Sequence, residues 1–227
     1  MDQIIQNDFD AIAEATPEYE CPNHNNKHHP VILNHLPDNR GHALDIGCGT
    51  GELIEILATR FSLVTGIDFS HKMIARARKR LSRFSNVKLL ETDILDWQRP
   101  PEGYDLIVSM ATFHHLPFSV IMEQCRDWLN PSGVIVIVDL CRPSSITDYG
   151  FAAASFAANT TNRLLLGKYN VSTPELKEAW ARHGEHERYP FLADIRKEAE
   201  MILPGAEVHN LLYWRYILTW RNVKEQT

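Results

Sequence analysis

The chain has few of the features that mark a secreted, membrane-spanning or disulfide-rich protein. Its four cysteines (Cys21, Cys48, Cys125 and Cys141) form no C-x-x-C pair, and free thiols are the expected state. No apolar run approaches membrane-spanning length, and the first residues lack the basic start and apolar core of a signal peptide. A formal net charge of −6 argues against nucleic acid as the default partner. We therefore expect a cytoplasmic protein with no membrane partner.

The stretch 43–52 carries the clearest local pattern. A short apolar run that ends at Ile46 is typical of a buried strand, and apolar side chains at helical spacing follow the stretch. Between strand and helix, Gly47, Gly49 and Gly51 stand at alternate positions. Glycines at such a junction allow a tight turn and the close approach of a ligand to the backbone. The pattern predicts a nucleotide-like ligand at the carboxyl edge of a sheet.

Two common phosphate-binding patterns are missing from this stretch. A P-loop requires Gly-Lys-Ser/Thr after the glycines, and none follows Gly51. A dinucleotide-binding G-x-G-x-x-G requires glycine where the chain has Glu52. Because a carboxylate in the first helical turn repels a diphosphate, the pattern favours a ligand that is cationic and free of phosphate.

The run Asp45-Ile46-Gly47-Cys48-Gly49-Thr50-Gly51 resembles the D-x-G-x-G-x-G signature of the class I S-adenosylmethionine-dependent methyltransferases. Their cofactor carries a sulfonium and an ammonium group and no phosphate. The resemblance has motif-level support over residues 40–140. It implies an enzyme that binds S-adenosylmethionine and moves its methyl group to an O, N, S or C atom of an acceptor.

Strand and helix patterns alternate five times up to residue 138, and 134–138 is apolar without interruption, as in a central parallel strand. This alternation predicts an α/β, doubly wound sheet. The resemblance implies a seven-stranded, mostly parallel Rossmann-like sheet with an antiparallel last strand and a helical insertion before strand 6. We expect a single domain, 1–227, with four parts: an N-terminal helical or lid segment (1–36), a cofactor-binding core (40–140), a helical acceptor-side insertion (144–204) and closing strands (206–221).

The resemblance also implies which residues contact the cofactor. Asp45 and the glycine loop are expected to hold the methionine end, and Asp68, after the second strand, the ribose hydroxyls. Asp93 is expected to accept from the adenine amino group, with apolar residues against the ring. The predicted cofactor-binding residues are Asp45, Gly47, Cys48, Gly49, Gly51, Asp68, Phe69, Asp93, Ile94 and Met110.

The segment after the fourth predicted strand bears on the acceptor. Methyltransferases of base or glutamine amines have an Asn/Asp-Pro-Pro-aromatic tetrad here, whereas residues 109–112 are Ser-Met-Ala-Thr. This difference favours the small-molecule branch of the family. His114 and His115 are candidate general bases, because imidazole titrates near neutral pH, although a structural role is the alternative. The residues predicted to line the acceptor pocket are Tyr149, Tyr169, His183 and His186. Tyr149 is also a catalytic candidate.

The sequence predicts no metal site. The segment 21–30 contains one cysteine and three histidines but no second cysteine pair, so a lid or solvated loop is the expected structure. His183 and His186 lack further ligands nearby in the sequence. Cys141, after the fifth strand, is expected to be an inert thiol rather than a nucleophile.

Three other functions compete with small-molecule methylation. An RNA or protein methyltransferase requires a docking surface, and the basic helix predicted at 72–83 is the candidate. The other two alternatives are a protein that binds the cofactor without turnover and an aminopropyl transferase, which shares the fold. The identity of the acceptor, the methylated atom and the oligomeric state stay open at this point.

Overall fold

The computed structural model describes residues 3–17, 25–166 and 173–223, without the side chains of 162–166. Cys21 and Tyr169, named above, lie outside the described residues, as does His24, the first histidine of the segment 21–30. Within the described residues, no helix is long and apolar enough to span a bilayer.

A single seven-stranded sheet organises the described chain, with strand order β3-β2-β1-β4-β5-β7-β6. The strands are β1 His42–Ile46, β2 Leu63–Asp68, β3 Val87–Glu91, β4 Tyr104–Met110, β5 Leu129–Leu140, β6 Glu207–Leu211 and β7 Arg215–Arg221. The first five strands pair in parallel, and β7 is antiparallel to both β5 and β6. This topology confirms the predicted fold class, including the antiparallel last strand.

Eight α-helices connect or flank the described strands. They are α1 Gln3–Ala15, α2 His29–Leu33, α3 Glu52–Leu57, α4 His71–Arg80, α5 Phe118–Trp128, α6 Ile146–Leu166, α7 Pro174–His186 and α8 Leu192–Ile202. Alternate residues of the central strands enter separate core clusters, one with α5 and α8 and the other with α3 and α4. The sheet therefore has helices on both faces, as parallel strands require. The last three helices form the predicted insertion between β5 and β6.

Side-chain caps fix the starts of two helices. The Ser70 hydroxyl accepts from the backbone N–H of Met73 at the start of α4, and Thr173 caps α7 through Leu176. Glycine is typical of a helix end, but α7 continues through Gly184 to His186. A glycine inside a helix costs only about 1 kcal/mol, and side-chain contacts to α1 hold the last turn, as described below.

Two segments of the sheet depart from what their residues suggest. Asn-Pro-Ser-Gly at 130–133 is typical of a turn, but these residues are part of β5, which is irregular there, with a register shift against β4 and a φ of +62° at Ser132. The turn between β6 and β7 has positive φ at Tyr213 and Trp214. The sequence does not predict this turn, because glycine or asparagine ordinarily occupies such positions.

The described part of the histidine-rich segment is folded, so its prediction as a lid or solvated loop is wrong there. Residues 26–28 form a 3₁₀ turn, and His28 and His29 are buried. The Asn25 side chain accepts from the Arg215 guanidinium at 2.6 Å, and the His28 ring lies edge-on to Tyr213 at 6.0 Å. These contacts attach the segment to the β6–β7 turn.

Candidate active site

The glycine loop lies at the carboxyl end of β1, and all three of its glycines have positive φ. A Cβ atom at Gly47 would lie 2.1 Å from the Thr112 hydroxyl, and one at Gly51 2.7 Å from Leu81. A Cβ at Gly49 would meet nothing within 4 Å. Gly47 and Gly51 are thus required by packing against the protein itself, whereas the open space at Gly49 leaves the backbone accessible to a ligand.

Two buried carboxyl groups, Asp45 and Asp68, lie beside this loop. Burial, and then the charge of Asp68, raises the pKa of Asp45 to about 8. Burial raises the pKa of Asp68 to about 6, although hydrogen bonds from the backbone N–H groups of Ser70 (2.9 Å) and Gly49 (2.8 Å) oppose the increase. The Asp68 carboxylate therefore fixes the loop and β2 together. A cation placed here would favour the ionised form of both acids.

The other predicted cofactor residues occupy the same edge of the sheet. Burial, with the nearby Asp68 and Asp45 charges, raises the pKa of Cys48 well above its usual value, so this thiol stays protonated. Asp93 follows β3, and its carboxylate accepts from the Leu95 N–H at 3.0 Å. The remaining predicted residues lie on this edge as well: Phe69 after β2, Ile94 after β3 and Met110 at the end of β4.

The N-terminal helix α1 passes over this edge. The Gln6 side chain donates to the Phe69 carbonyl at 2.9 Å, and the Ser70 hydroxyl donates to Asp10 at 2.5 Å. The Phe9 ring lies edge-on to Phe69, with 5.9 Å between ring centroids. On its other side the same ring is 5.7 Å from His115 and 4.7 Å from His183. One helix therefore contacts both the predicted cofactor loops and the histidines beside β4.

His114 is buried between two carboxylates. Its Nδ1 is 2.7 Å from Asp139 at the end of β5, and its Nε2 is 3.3 Å from Glu187 after α7. Burial alone would lower the pKa of His114, but Asp139 and then Glu187 raise it to about 9. Conversely, hydrogen bonds from His114 and His183 outweigh burial and hold the pKa of Glu187 at about 2. In this arrangement His114 is a cation with both nitrogens engaged and is poorly suited to act as a base.

His115 has the opposite character. Burial, followed by the charges of His114 and His183, lowers its pKa to about 4. Its Nε2 is buried and has no hydrogen-bond partner among the described residues. Its ring is 4.0 Å from His114 and 5.3 Å from His183. His115 is therefore neutral, with one nitrogen that the surrounding protein does not satisfy.

Asp8 on α1 joins this group to α7. Its carboxylate accepts from His186 Nδ1 at 2.8 Å and from Arg182 at 3.3 Å, and His183 Nδ1 lies 3.5 Å away. Burial would raise the pKa of Asp8, but the hydrogen bond and charge of His186 produce a net decrease. His183 and His186, predicted to line the acceptor pocket, thus attach α7 to α1 at the carboxyl edge of β4 and β5.

Two other residues named from the sequence lie apart from this cluster. Tyr149 is on α6 with 62% of its surface exposed, and no described contact joins it to His114 or His115. Cys141 is buried, and burial with the charges of Asp139 and Asp148 raises its pKa to about 12. The inert-thiol interpretation of Cys141 agrees with this value.

Sequence reasoning missed three acids, Asp8, Asp139 and Glu187. Asp139 had a usable signal, because it ends an uninterrupted apolar strand where parallel strands present functional groups. Asp8 sits in an amphipathic helix and Glu187 in a polar connection, and neither pattern differs from that of a surface acid. Their roles depend on a tertiary contact between α1 and α7.

Comparisons with known proteins agree with this geometry. A family model described as "Methyltransferase domain" matches residues 43–133. The uncharacterized methyltransferase Rv0089 of Mycobacterium tuberculosis is 29% identical over 203 residues, which cover 86% of this chain and 95% of the relative. Trans-aconitate 2-methyltransferase of Escherichia coli O157:H7 is 35% identical over 110 residues, 47% of this chain and 42% of that protein. A solved DhpI–SAH complex has a TM-score of 0.62 at 18% identity, covering 96% of this chain and 97% of that chain.

The sheet order and the glycine loop with its buried acids define a Rossmann-like methyltransferase fold. The methyltransferase family model that matches residues 43–133 and the methyltransferase relatives support a class I S-adenosylmethionine-dependent methyltransferase. The residues present fit a cationic cofactor, because Gly49 leaves the backbone open and Asp45 and Asp68 have raised pKa values that a positive charge would lower.

Proposed function

We propose that this enzyme transfers the methyl group of S-adenosylmethionine to an O, N, S or C atom of a small molecule. The residues that bind the cofactor in this proposal are those predicted from the sequence. The glycine loop and Asp45 receive the methionine end, Asp68 the ribose, and Asp93 the adenine amino group. The open space at Gly49 and the raised pKa values of the two buried acids support this assignment.

We assign the acceptor to the region between α1, α7 and the carboxyl ends of β4 and β5. In this assignment the segment 1–36 is the cover of the site, 40–140 the cofactor-binding core, 144–204 the acceptor-side insertion and 206–221 the closing strands. The contacts of Phe9 with Phe69 on one side and with the histidines on the other support a shared cover.

The contacts of the basic side chains on helix α4 favour a small-molecule acceptor over a nucleic acid. Arg76 donates to the backbone carbonyls of residues 13, 16 and 17 at 2.7–3.1 Å, and Lys72 pairs with Glu14. Arg80 and Arg83 pair with Glu55. A phosphate-binding surface needs cations that face solvent. Lys72, Arg76 and Arg80 instead attach α4 to α1 and α3. Arg78 and Arg83 are exposed, and Arg78 is therefore the position tested below.

The bound cofactor supplies a methyl group that its sulfonium already activates, so alignment and exclusion of water are the main tasks of the protein. The partly buried aromatic ring of Phe9 and the packing of α1 across the edge serve both tasks. A dedicated base is needed only for an acceptor that starts out protonated. His114 is not assigned that role, because both of its nitrogens face carboxylates.

The test is methyl transfer from labelled S-adenosylmethionine to three pools: a panel of small organic acids, amines, thiols and phenols, total RNA, and a protein lysate. We expect label in the small-molecule pool alone. The matched variant replaces exposed Arg78 on α4 with Glu, and we expect it to leave transfer unchanged. Label in RNA or protein that Arg78→Glu reduces would overturn the proposal in favour of docking through α4.

A further inference from the structure

A second cluster of ligand atoms lies beside the cofactor edge. One ring nitrogen each of His114 and His115 and one carboxylate oxygen of Glu187 lie within 4.8 Å of one another. We propose that these three side chains bind a divalent transition-metal ion, which displaces the proton from His114 Nε2, with Zn²⁺ as the ion that best suits the donors. Two imidazoles and one carboxylate form a donor set found in catalytic zinc sites, which leave one position open.

The distances around His114 are compatible with a metal ligand as well as with a hydrogen-bonded ring. Its Nδ1 is 2.7 Å from Asp139, which is a short hydrogen bond, but its Nε2 is 3.3 Å from Glu187. A charge-assisted hydrogen bond is ordinarily about 2.7–2.9 Å long. Two ligands of a tetrahedral ion with bonds of about 2.0–2.1 Å lie about 3.3 Å apart. The spacing between His114 and Glu187 therefore fits two atoms that share an ion.

The second observation is the unsatisfied nitrogen of His115. Its Nε2 is buried, and the described part of the chain offers it no hydrogen-bond partner. A buried polar atom of this kind requires an explanation, and an unplaced ion is one of the ordinary ones. A network of hydrogen bonds alone leaves this atom unpaired, whereas coordination satisfies it.

The groups behind the proposed ligands are arranged as metal sites require. Asp139 accepts from His114 Nδ1 and also from the backbone N–H groups of His114 and Leu140, each at 2.7 Å. A carboxylate held in this way fixes the orientation of a ligating imidazole. On the other side, His183 Nε2 is 3.0 Å from Glu187 and orients that carboxylate. Asp139 and His183 are thus positioning residues.

Three aromatic rings pack against the cluster. Tyr189 is 5.3 Å from the His114 ring, Phe9 is 5.7 Å from His115, and Trp180 is 5.8 Å from His183. An apolar shell raises the electrostatic effect of a bound ion. The open coordination position takes an oxygen or nitrogen of the acceptor, a step that rests on the proposed function; binding of the ion itself does not.

The test uses the full-length, tag-free protein, stripped with EDTA and titrated with Co²⁺. We expect one equivalent of Co²⁺ to bind and to give visible absorption as intense as that of tetrahedral Co²⁺. Addition of Zn²⁺ is expected to displace the Co²⁺ and abolish this absorption. His115→Ala and the near-isosteric Glu187→Gln are expected to bind Co²⁺ at least tenfold more weakly, and Asp139→Asn about 10–100-fold more weakly. The matched control is His209→Ala, which removes an exposed imidazole on β6 and is expected to retain full Co²⁺ binding.

Circular dichroism of each variant checks folding, and calorimetric titration with S-adenosylmethionine separates the two proposals. Intact cofactor binding without a Co²⁺ band in the wild-type protein would overturn the metal site and leave the proposed function standing. Co²⁺ binding that stays unchanged in both His115→Ala and Glu187→Gln would overturn it as well. Failure of the wild-type protein to bind S-adenosylmethionine would contradict the proposed function and leave the metal site standing.

Discussion

Buried carboxyl groups occur on both halves of the sheet edge, but their pKa values are shifted in opposite directions. Beside β1 and β2, Asp45 and Asp68 lie close to each other, and their pKa values are raised. Beside β5 and α7, histidines face Glu187 and Asp8, and the pKa values of these acids are lowered. Negative charge is thus left for a ligand to balance in the first region and is balanced internally in the second.

The largest expected effect is on the first region. Replacing Asp68 by Asn should weaken S-adenosylmethionine binding about 10–100-fold, since a hydrogen bond to a charged group contributes about 1.5–3 kcal/mol. Isothermal titration calorimetry at pH 8 measures this loss. Asp127→Asn is the control, because that carboxylate is exposed at the end of α5. Equal affinity in wild type and Asp68→Asn would mean that Asp68 holds only the loop.

A pair of glycine variants sharpens the same region. Gly47→Ala should lower the free energy of unfolding by about 1–3 kcal/mol, because positive φ is strained for alanine and the methyl group meets Thr112. Gly49→Ala carries the backbone strain without the clash. We expect it to be the more stable of the two and to lose cofactor affinity instead.

Thermal unfolding and calorimetry of both glycine variants make this comparison. A Gly49→Ala protein that binds S-adenosylmethionine as tightly as wild type would contradict the approach of the cofactor to this part of the loop.

The internal balance of the second region is tested at Asp8. Asp8→Asn should lower the free energy of unfolding by about 1–3 kcal/mol, because it weakens the hydrogen bonds to His186 and Arg182. Hydrogen–deuterium exchange should then quicken in α1 more than in β4. Glu178→Gln on α7 is the control, since its side chain is exposed. Equal exchange in the two variants would show that α1 is held by its other contacts.

The smallest expected effect is the pH dependence of the first region. Because burial raises the pKa values of Asp45 and Asp68, their protonated forms favour the folded, cofactor-free protein at low pH. This contribution to stability is lost as the pH rises through about 6, where Asp68 ionises, and then about 8, where Asp45 ionises. A cationic ligand prefers the ionised acids, so S-adenosylmethionine affinity should increase a few-fold from pH 6 to pH 8. Calorimetry across this range measures the slope, which should be shallower in Asp45→Asn. A slope of opposite sign would contradict a cationic ligand at these acids.

The cofactor half was predictable because its signals are local. Positive φ at Gly47 and Gly51 and the cap at Ser70 follow from residue types and spacing within a few positions. The closing hairpin was predicted as strands, but its turn was not, since Tyr213 and Trp214 adopt positive φ without a glycine. Tertiary contacts to Asn25 and His28 accompany that turn, and no short-range pattern encodes them.

The acceptor half was predictable only in outline. His114 and His115 were identified as candidates from their place after a strand, but their contrasting states depend on Asp139 and Glu187. Those partners come from β5 and from the end of α7, and Glu187 is 73 residues from His114 in the sequence. The same holds for Asp8, which meets His186 across 178 residues.

The position of α1 has a practical consequence for preparing and dissecting the enzyme. This helix precedes the residues matched by the family model, so a chain shortened to that match would retain the glycine loop and lose Phe9 and Asp8 together. Such a fragment would expose both ligand regions to bulk water at once. Fusion partners are therefore better attached at the carboxyl end, where β7 has already closed the sheet on the far side.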